Sequence, residues 1–94
     1  MKKYDLVATS AFRKAYRRLQ KRGLNMSLLD AVLEKLMNGD TLGPAYRDHP
    51  LKGSKKGDRE CHISDDWLLE YRIVEKELIL IAIMMGSHQD LFGD

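Results

Sequence analysis

Three histidines stand where the chain changes direction: His49 in a long loop, His62 at the end of a strand-like run, and His88 in Gly86-Ser87-His88, just after the last such run. Imidazole titrates near neutral pH, so a cluster of these rings can supply a general base, a general acid and a cationic stabiliser without a metal. RNA suits that inventory. Its 2′-hydroxyl is an internal nucleophile beside the scissile phosphate, so proximity supplies much of the rate, and the protein need only move protons and stabilise negative charge. Asp66 joins the set through the following hairpin. A three-residue loop Ile63-Ser64-Asp65 sets Asp66 opposite His62, whereas a two-residue loop pairs His62 with Trp67 and turns Asp66 to the core; the alternation of the next strand favours the first. Each residue also has a plainer reading: loop histidines are commonly surface or capping groups, Asp66 suits a turn, Trp67 suits a core and Phe92 a packed C-terminal anchor. Three histidines and an aspartate are metal-ligand types too, but they are scattered without the short spacing of metal motifs, and the sequence predicts neither a metal nor a cofactor.

These residues need a frame. At 94 residues the chain is long enough for one domain, residues 1–94, with a modest core. Tyr4 to Ala8 can be a short strand. Thr9 or Ser10 then caps a helix in which Phe12, Ala15, Tyr16 and Leu19 recur at helical spacing until Gly23. Asn25 or Ser27 caps a second helix, with Ser27 and Asp30 as a variant capping box and Leu29, Val32, Leu33, Leu36 and Met37 along one side, ended by Asn38-Gly39. So short a link predicts an antiparallel helical hairpin. Residues 40–58 hold Gly43, Pro44, Pro50, Gly53 and Gly57 and read as a long loop, carrying His49 with Lys52, Lys55 and Lys56. Three strands follow: Arg59 to Ile63, Asp66 to Val74, and an almost wholly apolar Glu77 to Met85, expected to be central and covered on both faces. Short turns at Ser64-Asp65 and Glu75-Lys76 predict antiparallel hairpins. The fold class is α+β, in the order β-α-α-β-β-β, with the helical hairpin packed on a small, mostly antiparallel sheet.

The formal net charge of +2 is unevenly divided. Residues 1–57 hold 13 Lys/Arg against 5 Asp/Glu, and residues 58–94 hold 3 against 9. On the first helix Arg13, Arg17 and Lys21 form one i, i+4 row and Lys14, Arg18 and Arg22 the next. Like charges at that spacing repel, so the rows point to an anionic partner or to a solvated face. No apolar run approaches the roughly 20 residues of a bilayer span, and the N-terminal stretch lacks a signal-peptide core, so the sequence predicts a cytoplasmic protein with no membrane partner. The single cysteine, Cys61, suits a reducing compartment and reads as a small buried hydrophobe.

The segment Asp48-His49-Pro50-Leu51-Lys52-Gly53, then Arg59-Glu60-Cys61-His62 with Asp66-Trp67 four residues on, then Gly86-Ser87-His88 and Leu91-Phe92-Gly93, resembles the YafQ branch of the RelE/ParE toxin superfamily across essentially the whole chain. The resemblance implies a RelE-like fold and a ribosome-dependent endoribonuclease that cuts translated mRNA and is held inactive by a cognate antitoxin. It implies that His49, His62, Asp66 and His88 take part in cleavage, with Trp67 and Phe92 supporting the substrate or the site. That family commonly has an arginine shortly before the GxH segment, where this chain has Met84 or Met85, so Arg59 or the loop lysines Lys52, Lys55 and Lys56 would supply the cation. The basic helix rows would grip ribosomal RNA. Two other readings stay open: a ParE-like toxin without nuclease activity that binds a topoisomerase, and a non-catalytic basic RNA-binding module.

Overall fold

Thr9 begins the first helix and ties it to the sheet. In the computed structural model, which describes residues 2–93, its hydroxyl accepts the Phe12 N–H at 3.0 Å and donates to the Ile83 carbonyl at 2.5 Å. A cap of this kind is worth about 1 kcal/mol. The helix, α1, spans Ser10–Lys21, and α2 spans Met26–Met37 behind an Asn25 cap that accepts the Ser27 N–H at 3.2 Å. Both stop where expected, at glycines with positive φ, Gly23 at 85° and Gly39 at 81°.

The strands are β1 (Asp5–Ala8), β2 (His49–Pro50), β3 (Arg59–Ser64), β4 (Trp67–Val74) and β5 (Ile79–Gly86), arranged in one sheet of order β1-β5-β4-β3-β2. Only β1 and β5 pair in parallel; the other neighbours are antiparallel. The helices bury Phe12, Ala15, Leu19, Leu29, Val32, Leu33 and Leu36 in one cluster with Cys61, Leu69, Tyr71, Leu80, Ala82 and Met85 of the sheet. A five-residue helix, α3 (His88–Phe92), closes the described chain, in which no helix is long and apolar enough to cross a membrane.

Four expectations need correction. The stretch 40–58 is not a plain loop: it carries β2 and two 3₁₀ turns, Pro44–Tyr46 and Gly53–Lys55. The strand covered on both faces is β4, buried continuously from Trp67 to Tyr71, while β5 alternates, because the 51–58 segment and α3 fold over the second face of β4. The β3–β4 hairpin follows neither anticipated register. Its turn is Asp65-Asp66, with Ser64 opposite Trp67, and a bulge between His62 and Ser64 sets His62 opposite Leu68. The β4–β5 link is a 3₁₀ turn, Glu75–Glu77, ending at Leu78 with φ of 53°.

Candidate active site

Directly paired residues of an antiparallel ladder share one face of the sheet. His49 pairs with Glu60, Glu60 with Glu70, and Glu70 with Met84, so these four form one row across β2, β3, β4 and β5. Two residues along lies a second row on the same face, His62, Leu68 and Gly86. The residues between them, Cys61, Leu69 and Met85, are buried under the helices. The sheet therefore presents His49 and His62 on the face opposite the core, and His88 follows two residues after Gly86.

His49 donates Nδ1–H to the Arg47 carbonyl at 2.7 Å, since a carbonyl only accepts, which leaves Nε2 to exchange a proton. Nε2 lies 3.4 Å from Oε1 of Glu60. The histidine side chain is 47% exposed and the carboxylate 5%, so a solvent-facing imidazole stands on a buried acid. The other oxygen of Glu60, Oε2, is buried with no partner among the described residues. Asp48 fixes the preceding residue: it accepts from the Arg59 guanidinium at 3.0 Å and from the Tyr71 hydroxyl at 2.5 Å. That bond raises the pKa of Arg59, and burial followed by the Asp48 bond raises that of Tyr71.

His62 is half-buried, its Nδ1 at 3.4 Å from the Asp65 carbonyl, and it lines a groove with Tyr46, Arg47 and Asp65. Asp66 accepts the backbone N–H of His88 at 3.0 Å, so it joins the β3–β4 turn to the start of α3. Ser87 and Asp90 complete a reciprocal capping box there. The Ser87 backbone N–H holds the Asp90 carboxyl below its ordinary pKa. The helix then stacks the His88 ring on Phe92, centroids 4.7 Å apart and tilted 40°.

The nominated cations separate into two groups. Lys55 reaches the site: its ammonium is 2.9 Å from Oε1 of Glu70 and 5.5 Å from the centroid of the Phe92 ring. Arg59 is engaged by Asp48, while Lys52 and Lys56 are exposed on the surrounding segment. Trp67 is 5% exposed and belongs to the core cluster, so its ring supports the site from below instead of offering a face to a base. Burial pushes the Cys61 thiol up to about 12, which makes it an inert core group. All six basic residues of the α1 rows are exposed, Arg22 at the helix cap. The end of α1 approaches the site, where Arg18 lies 3.9 Å from Asp90 and a groove runs past Arg22, Asp66 and Ser87.

Sequence reasoning missed Glu60, Glu70 and Asp48. Glu60 and Glu70 face each other on adjacent strands, and like charges directly opposite in a ladder are destabilising. Here both are buried, and each meets one basic side chain, the His49 imidazole or the Lys55 ammonium. Opposed acids at paired strand positions were a legible signal, but only once the register was known. Among the described residues no three His, Cys, Asp or Glu side chains gather into a set that could hold a metal ion.

Known proteins share both sequence and shape. The family model described as a bacterial toxin of type II toxin-antitoxin system, YafQ, matches residues 4–93. The mRNA interferase toxin YafQ of Escherichia coli K12 is 37% identical over 90 residues, 95% of this chain and 96% of that protein. A metal-bound toxin from Helicobacter pylori superposes with a TM-score of 0.89 at 39% identity, covering 95% of this chain and 99% of that one. The Escherichia coli DinJ-YafQ toxin-antitoxin complex contains a chain that superposes at 0.87 with 34% identity, covering 97% and 99%. The fold, the shared residues and the family match across nearly the whole chain agree, and this chain belongs to the YafQ family of bacterial toxins of type II toxin-antitoxin systems.

Proposed function

We propose that this chain is an endoribonuclease that cuts translated mRNA on the ribosome by metal-independent acid–base catalysis and is neutralised by a cognate antitoxin. The observation that carries the reading is the placement of His49 and His62 on the sheet face opposite the helical core, with His88 held beside it by Asp66. Its support from relatives is the mRNA interferase name of the Escherichia coli protein and the antitoxin bound to its counterpart in the solved complex.

The reaction needs no group from outside the chain and the RNA. A base removes the 2′-hydroxyl proton, the 2′-oxygen bonds to the adjacent phosphorus, the bond from phosphorus to the 5′-oxygen breaks, and an acid returns a proton to that oxygen. The three imidazoles divide these proton transfers and the stabilisation of the phosphorane between them. Asp66 acts through His88, whose backbone it holds, and Phe92 sets the plane of the His88 ring.

The products decide the matter. Ribosomes programmed with a defined mRNA and incubated with the chain in EDTA, at magnesium levels that keep the subunits joined, should yield fragments ending in a 2′,3′-cyclic or 3′-phosphate and beginning with a 5′-hydroxyl. Activity that stops on chelation and returns with zinc alone would overturn the metal-independent route.

A further inference from the structure

The row His49, Glu60, Glu70, Met84 contains two buried acids and receives no cation from β5, whose residues 79–86 are all uncharged. The compensating charge enters from outside the sheet. Lys55, on the segment that folds over β4, places its ammonium on Glu70 and above the Phe92 ring that stacks on His88. We propose, resting on the nuclease reading, that Lys55 is the site's phosphate-neutralising cation and that Glu70 is the buried residue that positions it.

An ammonium has three donors. One is taken by Glu70 at 2.9 Å, and the lysine side chain is 34% exposed, so two donors are left that an incoming phosphate oxygen can use. The other cations nearby are committed elsewhere or unanchored. Arg59 is clamped by Asp48, and Arg72 donates to Asp58 at 2.6 Å and to the Lys56 carbonyl at 3.3 Å. Arg18 leans on Asp90 at 3.9 Å, and Arg22, Arg47, Lys52 and Lys56 are exposed and form no ion pair among the described residues, so nothing fixes them before substrate arrives. A cation stabilises a transition state most when it is already in place.

Glu70 is otherwise hard to explain. It is 3% exposed, faces Glu60 across the ladder and has Asp58 close by. Burial pushes its carboxyl pKa upward, and Lys55 opposes that shift. Apolar side chains of similar volume in place of the Glu70–Lys55 pair are commonly neutral or stabilising. What the carboxylate adds is a fixed point for one ammonium. In the reaction Lys55 transfers no proton: it keeps its three hydrogens while the 2′-oxygen bonds to phosphorus and the 5′-oxygen departs, and it offsets the charge that accumulates on the non-bridging oxygens.

Single-turnover cleavage of ribosome-bound mRNA tests this, with ribosome affinity and thermal unfolding measured on the same proteins. Lys55→Ala should slow cleavage on the order of 100-fold, the scale of removing one transition-state donor, with affinity nearly unchanged. Lys55→Arg should recover most of the rate, and added ethylammonium should restore part of it to Lys55→Ala. Glu70→Gln should slow cleavage less, without weakening ribosome binding. The double variant Lys55→Met with Glu70→Met leaves no unpaired buried charge, so it should fold and yet cleave as slowly as Lys55→Ala. Should Lys55→Ala cleave at the unmodified rate, or the double variant regain that rate, this assignment fails while the nuclease reading stands. An unmodified, folded chain that cuts nothing removes the nuclease reading and this assignment together.

Discussion

His88 is anchored through its backbone N–H by Asp66, so the start of α3 is fixed without the imidazole, whose own contact is the stack on Phe92. His88→Ala should therefore retain the fold, with an unfolding midpoint close to that of the unmodified chain, and lose about 10²- to 10⁴-fold in cleavage, the range of a general acid or base. Loss of the fold along with activity would show that the ring is structural. Asp48 is the opposite case. It meets both the Arg59 guanidinium and the buried Tyr71 hydroxyl, so Asp48→Ala strands the Tyr71 donor at about 1–3 kcal/mol for an unsatisfied buried group, frees the partly exposed Arg59 to solvent, and loosens the strand that carries His49. A chemical denaturation series should register that loss, and an unchanged midpoint would mean the contacts are replaced by water. The histidines were legible because few side chains titrate near neutrality and these three lie at element ends. Glu60 and Glu70 were not, since alternation along a strand predicts a solvated polar face, and their burial comes from a loop whose packing has no local period.

The helices were legible for a local reason: caps, apolar spacing and terminal glycines all lie within a few residues of one another, as Thr9, Asn25, Gly23 and Gly39 illustrate. β2 has two residues, one a proline, and shows no periodicity to read. The bulge at His62 is settled by partners on β4, so no inspection of β3 alone fixes its register. α3 is short enough to depend on its caps and on Gly86. At Gly86, φ is 153° and an added Cβ would stand 2.6 Å from Oδ2 of Asp90. Gly86→Ala should displace α3, separating His88 and Phe92 from the sheet, and show reduced amide protection in α3 together with slower cleavage; normal protection there would contradict the steric argument. The same helix has an acid limit. The Asp90 pKa is depressed from its ordinary value of 3.8, so its stabilising effect is complete above that value and is lost as pH falls through the depressed one. Amide exchange in α3 should thus be insensitive to Asp90 titration near neutral pH and rise only in strong acid. Asp90→Asn should abolish that acid-dependent change.

Over the whole molecule the charge is sorted by position: exposed cations lie along α1 and the 52–56 segment, whereas acids gather on the strands beneath the site. Such an arrangement favours docking on a polyanion by counterion release. Reversing Arg13, Arg17 and Lys21 to glutamate should weaken ribosome association and flatten its dependence on salt, while the fold persists; an unaltered salt slope would make the rows a solvated face only. The same surface is where an antitoxin has most to gain. An acidic segment that orders on binding could satisfy several of these cations at once and obstruct docking without touching a histidine. The chain expressed alone should then arrest translation and growth, the His62→Ala and His88→Ala variants should not, and co-expression with its antitoxin should restore growth to the unmodified chain. The triple charge reversal should also bind that antitoxin more weakly, measured by calorimetry on the His88→Ala background so that toxicity does not limit expression. Equal affinity would place the antitoxin elsewhere on the surface, and a folded, unmodified chain that leaves growth and translation untouched would refute the nuclease reading itself.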